Sequence, residues 1–414
     1  MDQKSLLTAE IIRKKKFTIM LCGVLLYFLT CMAKLLIPGI IFNDLQKIGL
    51  DTRMIAGTGA AFMYAYALSQ LLAGVFSNRY GGVRILLIGG TLFAVGTTAF
   101  PWTANYPLMI FFRVVTGLGA GTVFLGVVKL VNDLFSAKFA LVLGTVMLCS
   151  YFGPVCGTTP MVLLVKYTSW QWAMTIPGII ALAGIAVILT QIRGTIRATT
   201  SGNALKPLLL MLKNVEMWKL CMFSPVIFGI YYIISSQLGQ KILTDQCEMT
   251  PEGASTIIMT LTVIVALNNV AGNFVLRLCG NRKKLFCIYS FLLTLAGSVI
   301  GFFIFRTTAS IIATAASFIL IAVPAGFFPI FSAAAKELNP PEDTGLAVAL
   351  LNFWCFIFIA GFQNISGRIL QQYAISGSLS YPPAAYSAVF AFMSIASICG
   401  LLMCAFWKKL PVKS

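Results

Sequence analysis

Residues 18–42 read TIMLCGVLLYFLTCMAKLLIPGIIF, and one cation, Lys34, stands in an otherwise almost wholly apolar run. About 20 apolar residues at ~1.5 Å rise per residue cross ~30 Å of hydrocarbon, so this run is long enough to span a membrane. Eleven more runs follow, at 54–78, 83–103, 107–130, 140–165, 170–192, 217–243, 254–276, 285–305, 310–335, 345–370 and 385–407. The expectation is an all-α polytopic membrane protein with 12 transmembrane helices. The chain of 414 residues is 59% hydrophobic and only 10% charged, which excludes an ordinary soluble domain. A β-barrel would show short alternating segments instead of long continuous runs. The first run lacks a small-residue cleavage site and is read as a retained helix.

The formal net charge is +18, and its distribution argues against nucleic acid as a partner. Basic residues cluster at Arg13–Lys16, at Arg79 and Arg84, and through Arg193, Arg197, Lys206 and Lys213. They recur at Arg277 and Arg282–Lys284, then at Lys408, Lys409 and Lys413. The alternate connections carry few: Lys47 and Arg53, Lys166, Arg306, and Arg368. This bias places both termini in the cytoplasm and the basic loops against anionic lipid. Short loops fit a bacterial inner membrane. There are 11 Cys and no His. Cysteines inside apolar runs behave as small hydrophobes, so neither a disulfide framework, a metal site nor a cofactor is expected.

Residues 191–219 form the least apolar internal stretch. A linker at 193–216 would divide a six-helix bundle at 1–192 from another at 217–414. The halves echo each other. GVFSNRYGGVR at 74–84 and GNFVLRLCGNRK at 272–283 both place a Gly near a helix end, a basic residue five positions on, then Gly and more basic residues. Duplicated halves with cargo bound between them are a common transporter plan.

The 74–84 loop resembles the major facilitator superfamily signature between helices two and three. Gly74, Arg79, Gly81 and Arg84 match, and Asn78 stands where the family usually has Asp. RVVTGLG at 113–119 is similar to the helix-four signature, GPVCG at 153–157 to the helix-five antiporter signature, and SWQW at 169–172 to the approach to helix six. The resemblance implies two pseudo-symmetric six-helix bundles that rock about a central cavity, giving alternating access. It also implies gating roles for Gly74, Asn78, Arg79, Gly81, Arg84, Gly153, Pro154 and Gly157. A looser likeness runs to bacterial permeases for sugar phosphates or organic anions.

The ionisable residues inside the runs are nearly all cations: Lys34, Arg113, Lys129 and Lys241. A charge in hydrocarbon costs several kcal/mol, so one that stays there usually lines a polar cavity. Cations without carboxylates point to an anionic cargo. Lys34 lies ~25 Å along the helix from Thr18, too deep for easy snorkelling, and Pro38 follows one turn later. Arg113 is either a cavity residue or a structural guanidinium. Lys129 either binds cargo, snorkels, or pairs with Asp133 at i,i+4. Lys241 either reaches the interface or faces Lys34. Tyr64, Tyr231, Gln237 and Asn352 are the uncharged candidates, on helices that usually line the family's cavity; Tyr66, Gln70 and Gln363 are nearby polar residues. Asp44, Asp133, Asp245 and Glu337 sit at ends or in loops, which leaves no embedded acid as a proton carrier. Transport of a small organic anion as a monomer is expected. The rivals are a drug or amphiphile exporter and a receptor with a dead transport cycle. An enzyme is not expected.

Overall fold

The computed structural model describes residues 3–36, 39–76, 81–135, 139–191, 211, 213–307, 310–340 and 344–407. The helices are α1 (Gln3–Leu36), a short α2 (Phe42–Lys47), α3 (Thr52–Phe76), α4 (Gly82–Ala99), α5 (Tyr106–Phe135), α6 (Phe139–Cys156), α7 (Thr159–Tyr167) and α8 (Trp170–Gln191). After the 193–216 region, which lies mostly outside the described residues, come α9 (Val215–Tyr232), a π-helical segment (Ile233–Leu238) and α10 (Gly239–Gln246). The rest are α11 (Pro251–Leu278), α12 (Lys283–Ile304), α13 (Ile311–Ala325), α14 (Phe328–Glu337), α15 (Thr344–Gln371) and α16 (Pro383–Ala405).

Ten stretches are long and apolar enough to cross a membrane, and α6 with α7 makes an eleventh, bent by 46°. Helix α3 completes the expected set. Thr58, Tyr64, Tyr66, Ser69 and Gln70 lie along it. Three expected runs are not continuous helices. Run five breaks at Gly157 and Thr158, with Pro154 one turn before and Pro160 just after. Run ten breaks at Gly326 and Phe327, behind Pro324. A proline removes an amide donor and clashes with the preceding turn, so both breaks follow from sequence. Run seven stays one rod but widens at Ile233–Leu238. Run one stops as α1 at Leu36, followed by a turn at 39–41; Pro38 lies outside the described residues.

The first eight helices pack chiefly on one another, α4 on α5 and α8, α3 on α5, α1 on α6. The later ones do likewise, α12 on α13 and α16, α9 on α15. The two sets meet where α3 runs along α15 and where α7 and α6 touch α11. Small residues set these distances, because close backbone approach is what packs helices in lipid. Gly153 is the case nearest the candidate site. A Cβ there would sit 2.5 Å from the Phe28 carbonyl oxygen and 3.2 Å from the Cys31 Cβ, both on α1. The glycine lets α6 lie directly on the turn of α1 that precedes Lys34.

Gly153→Ala is expected to lower stability by roughly 1–3 kcal/mol, because backbone must move to admit the methyl. Gly144→Ala, in open space on the same helix, is expected to be neutral or stabilising. Thermal unfolding of both variants in detergent checks the contrast.

Candidate functional site

Lys34 lies in the last turn of α1. Its Nζ donates to the Tyr66 hydroxyl at 3.1 Å. The ammonium also lies 4.3 Å from the Tyr66 ring centroid and 5.3 Å from that of Phe356. The two rings are 4.3 Å apart. Tyr66 comes from α3 and Phe356 from α15, so the lysine sits where the two sets of helices meet. Among the described residues no carboxylate reaches it. An ammonium carries three donors, and one is filled here. Tyr151 and Tyr232 lie within electrostatic reach of the same charge. Tyr151 also donates to Asn269 Oδ1 at 3.1 Å, from α6 to α11.

Arg113 is only 3% exposed and lies behind this group. Its Nε donates to the Thr58 carbonyl at 3.0 Å, and its guanidinium covers Phe62 at 4.6 Å and Phe100 at 5.7 Å. Nη2 has no partner among the described residues. Phe62 in turn stacks on Tyr66 with centroids 6.1 Å apart. Phe62 and Tyr66 are one turn apart on α3, so a two-ring stack separates the cations. Arg113 is placed to hold that stack, not to share a ligand atom with Lys34.

Other expected site residues fall elsewhere. Tyr64 is 40% exposed. Two residues along a helix rotate a side chain by about 200°, so Tyr64 points away from Lys34 and its neighbour Tyr66 takes the place expected of it. Lys241 is corrected most. It is neither snorkelled nor opposite Lys34. Its Nζ bonds Asp245 Oδ1 at 2.9 Å and the Leu379 carbonyl at 2.5 Å, with side chains 2% and 6% exposed. Asp245 also accepts from the Tyr386 hydroxyl at 2.6 Å and the Tyr381 amide at 3.1 Å. The acid expected at a helix end is therefore buried and fully engaged. Gln237 is buried in a polar knot: its Nε2 donates to the Gln363 carbonyl and its Oε1 accepts from Ser366, each at 2.9 Å. Tyr231 is buried edge-on to Tyr232 at 5.7 Å. Asn352 is half-buried one turn before Phe356, on the same face of α15. Lys129 is half-buried near the far end of α5, and Asp133 caps α4 by accepting from the Gly82 amide at 3.3 Å. Of the gating residues, Gly81 is the N-cap of α4 and Arg84 is exposed. Gly74 lies in α3, and Asn78 and Arg79 fall outside the described residues.

Hydrogen bonds joining the two sets of helices cluster at the base-poor end. The Gly39 amide donates to the Ser236 carbonyl at 2.9 Å, in the wide turn of the π segment. The Thr52 amide donates to Gln371 Oε1 at 2.9 Å, and Gln46 Nε2 to the Tyr381 hydroxyl at 3.1 Å. Ser255 donates to Thr159 at 3.2 Å, and Lys166 Nζ meets Glu252 Oε1 at 2.7 Å. Outside this seal lies a cavity of about 270 Å³ touching Asp44, Lys47 and Lys166; at the seal, beside Gly39, Gly157 and Gln237, about 10 Å³ remains. Among the described residues these contacts lie between Lys34 and the base-poor end.

Residues 19–363 match the family described as Major Facilitator Superfamily. The chain belongs to the Major Facilitator Superfamily. It is similar to the 4-hydroxybenzoate transporter PcaK of Pseudomonas aeruginosa, 23% identical over 36% of this chain and 33% of that one. It is also similar to the multidrug export protein EmrB of Escherichia coli, 28% identical over 39% of this chain and 31% of that one. Each match thus spans about a third of the relative's own length. In fold, it superposes on a mutant of the nucleoside transporter NupG with TM-score 0.76, 14% identity, and coverage of 93% of this chain and 99% of the other. As a member of this family it is a multi-pass membrane protein.

The Lys166–Glu252 contact latches α7 to α11. Its hydrogen bond holds the Glu252 carboxyl below its ordinary range and the Lys166 ammonium above its own. A depressed acid contributes above its ordinary pKa and loses that contribution as pH falls through the lowered value; a raised amine contributes below its ordinary pKa and loses it as pH rises through the raised one. The latch is therefore complete throughout the neutral range. Spectroscopic distances between labels on α7 and α11 should be unchanged across neutral pH and widen in acid below the usual carboxylate range. Glu252→Gln should show the wide distribution at neutral pH, and a distribution identical to wild type would contradict this role.

Proposed function

We propose that this chain transports a small organic anion, bearing a carboxylate or phosphate, by rocker-switch alternating access. Lys34 serves as the cargo's counter-charge. The observation that carries this reading is an ammonium with no carboxylate partner among the described residues, held between Tyr66 and Phe356 where α1, α3 and α15 converge. An anion placed there would meet unfilled donors and touch helices of both sets, so its binding would register their relative position. Movement of the bundles 1–192 and 217–414 would then transfer access from one end to the other. The similarity to PcaK, a 4-hydroxybenzoate transporter, supports a cargo of this kind.

With the positive-inside bias, the termini are cytoplasmic in an inner membrane and the sealed base-poor end faces outward. Lys34 is then reached from the cytoplasm. Asp245 is engaged by Lys241, Tyr381 and Tyr386 and lies at the seal, so it is not positioned beside the cargo. Uniport, exchange, or a proton carried with the anion fits that arrangement. The chain is taken to act as a monomer. A second reading, export of drugs or amphiphiles, draws on the Gly153–Gly157 signature and the aromatic rings around Lys34. The multidrug exporter among the relatives supports it.

Thermal stability of the purified protein against matched organic anions, organic cations and neutral amphiphiles separates the two. A ligand that binds only the folded state raises the melting temperature. Stabilisation by an anion should weaken in Lys34→Ala by roughly tenfold or more in affinity, the loss of a charge-assisted hydrogen bond worth about 1.5–3 kcal/mol. Stabilisation by cations or amphiphiles alone, unchanged in Lys34→Ala, would leave the exporter.

A further inference from the structure

A second cavity, about 780 Å³, opens between α3 and α15 at the base-poor end, away from Lys34. Its wall includes Asp51, Arg53 and Tyr106 from the first half and Asn364, Arg368 and Gln372 from the second. The base-poor connections carry few cations over the whole chain: Lys47, Arg53, Lys166, Arg306 and Arg368. Two of them, from opposite halves, share this one notch. Arg368 is exposed and forms no ion pair with any described residue. Arg53 bonds Asp51 Oδ2 at 3.2 Å, and the other carboxylate oxygen accepts from the Met54 amide at 2.8 Å. Asp51 is thus committed to the start of α3, and Arg53 keeps donors to spare. The amides of Asn364 and Gln372 and the Tyr106 hydroxyl add neutral donors around the two guanidinium groups.

The notch also borders hydrocarbon. Ile365, 40% exposed, precedes Arg368 by three residues and so lies on the same face of α15. An occupant would have its apolar part beside Ile365 and its anionic part against the arginines. Guanidinium pairs of this kind recognise phosphate in bidentate geometry.

We propose that this notch binds a phosphate anion, supplied by the headgroup of an anionic phospholipid, and that the bound phosphate bridges α3 to α15. The site is independent of the cargo reading at Lys34. A ligand bridging the two elements favours the state in which the notch exists, the one sealed at the base-poor end.

The test uses the delipidated full chain, with melting temperature and native mass spectrometry as readouts. Phosphatidylglycerol, phosphatidylcholine, glycerol 3-phosphate and inorganic phosphate are added in turn to wild type, to the double variant Arg53→Gln with Arg368→Gln, and to Lys34→Ala. Both arginines are exposed, so the double variant should fold, and its unliganded melting curve verifies that. Phosphatidylglycerol should raise the melting temperature and remain bound in the mass spectrum. Phosphatidylcholine should do so much less, and the difference should vanish in the double variant while persisting in Lys34→Ala. An equal rise with glycerol 3-phosphate or inorganic phosphate, lost in the double variant, would keep the phosphate site but assign it a soluble source. A phosphatidylglycerol effect unchanged in the double variant, or no effect of any phosphate on wild type, overturns the proposal.

Discussion

The contact of Lys34 with Tyr66 and Phe356 is the constraint around which the account is organised. An ammonium in hydrocarbon costs several kcal/mol. Two rings return about 0.5–2 kcal/mol each by cation–π attraction, and the Tyr66 hydroxyl supplies one hydrogen bond. That leaves an ammonium whose hydration is only partly replaced. The surrounding structure keeps it in place. Gly153 brings α6 against the turn of α1 that precedes the lysine, and Arg113 backs the Phe62–Tyr66 stack from the opposite side. A packed helix junction thus holds the charge in place; on the proposed reading, pre-organisation of this sort would lower the ordering cost of binding a ligand.

The seal and the site are linked through broken helices. The π segment of run seven offers the Ser236 carbonyl to Gly39, just past the end of α1. The Gly157–Thr158 break redirects α7 toward α11, where Lys166 reaches Glu252. Ser236 meets the chain five residues past Lys34, and Gly157 packs on the Met32 carbonyl of α1. Irregular backbone at membrane depth persists where protein or a polar cavity covers it, and here it supplies the bonds that close one end. The Lys241–Asp245 pair fastens Tyr381, whose hydroxyl meets Gln46 and Thr52 of the other half. Lys241, a cargo candidate from sequence, is instead paired with Asp245 at the closure.

Much of this was legible in the chain. Apolar run length gave the helices, with the proline positions marking two of the breaks, and depth singled out Lys34. What failed was rotation and long-range pairing. Run two is interrupted by polar residues on several faces, so nothing local distinguishes Tyr64 from Tyr66; the facing helix decides, and it comes from 290 residues further along at Phe356. Gln237 likewise meets partners at 363 and 366, and Arg113 meets Thr58. No periodicity encodes such pairings. Lys241 and Asp245 are different: their i,i+4 spacing was open to the same rule applied to Lys129 and Asp133, and it would have removed Lys241 from the unpaired cations. The π segment had no sequence signal that these residues supply.

The most direct test of the central claim is isotope counterflow in proteoliposomes, because exchange of labelled for unlabelled cargo proceeds whatever the coupling ion. The measurement compares wild type with Lys34→Ala across labelled carboxylates, phosphate esters and organic cations. The account predicts counterflow of at least one anion in wild type and its loss in Lys34→Ala, with the variant still folded by its melting curve. Anion exchange that persists without Lys34, or exchange confined to cations, would contradict it.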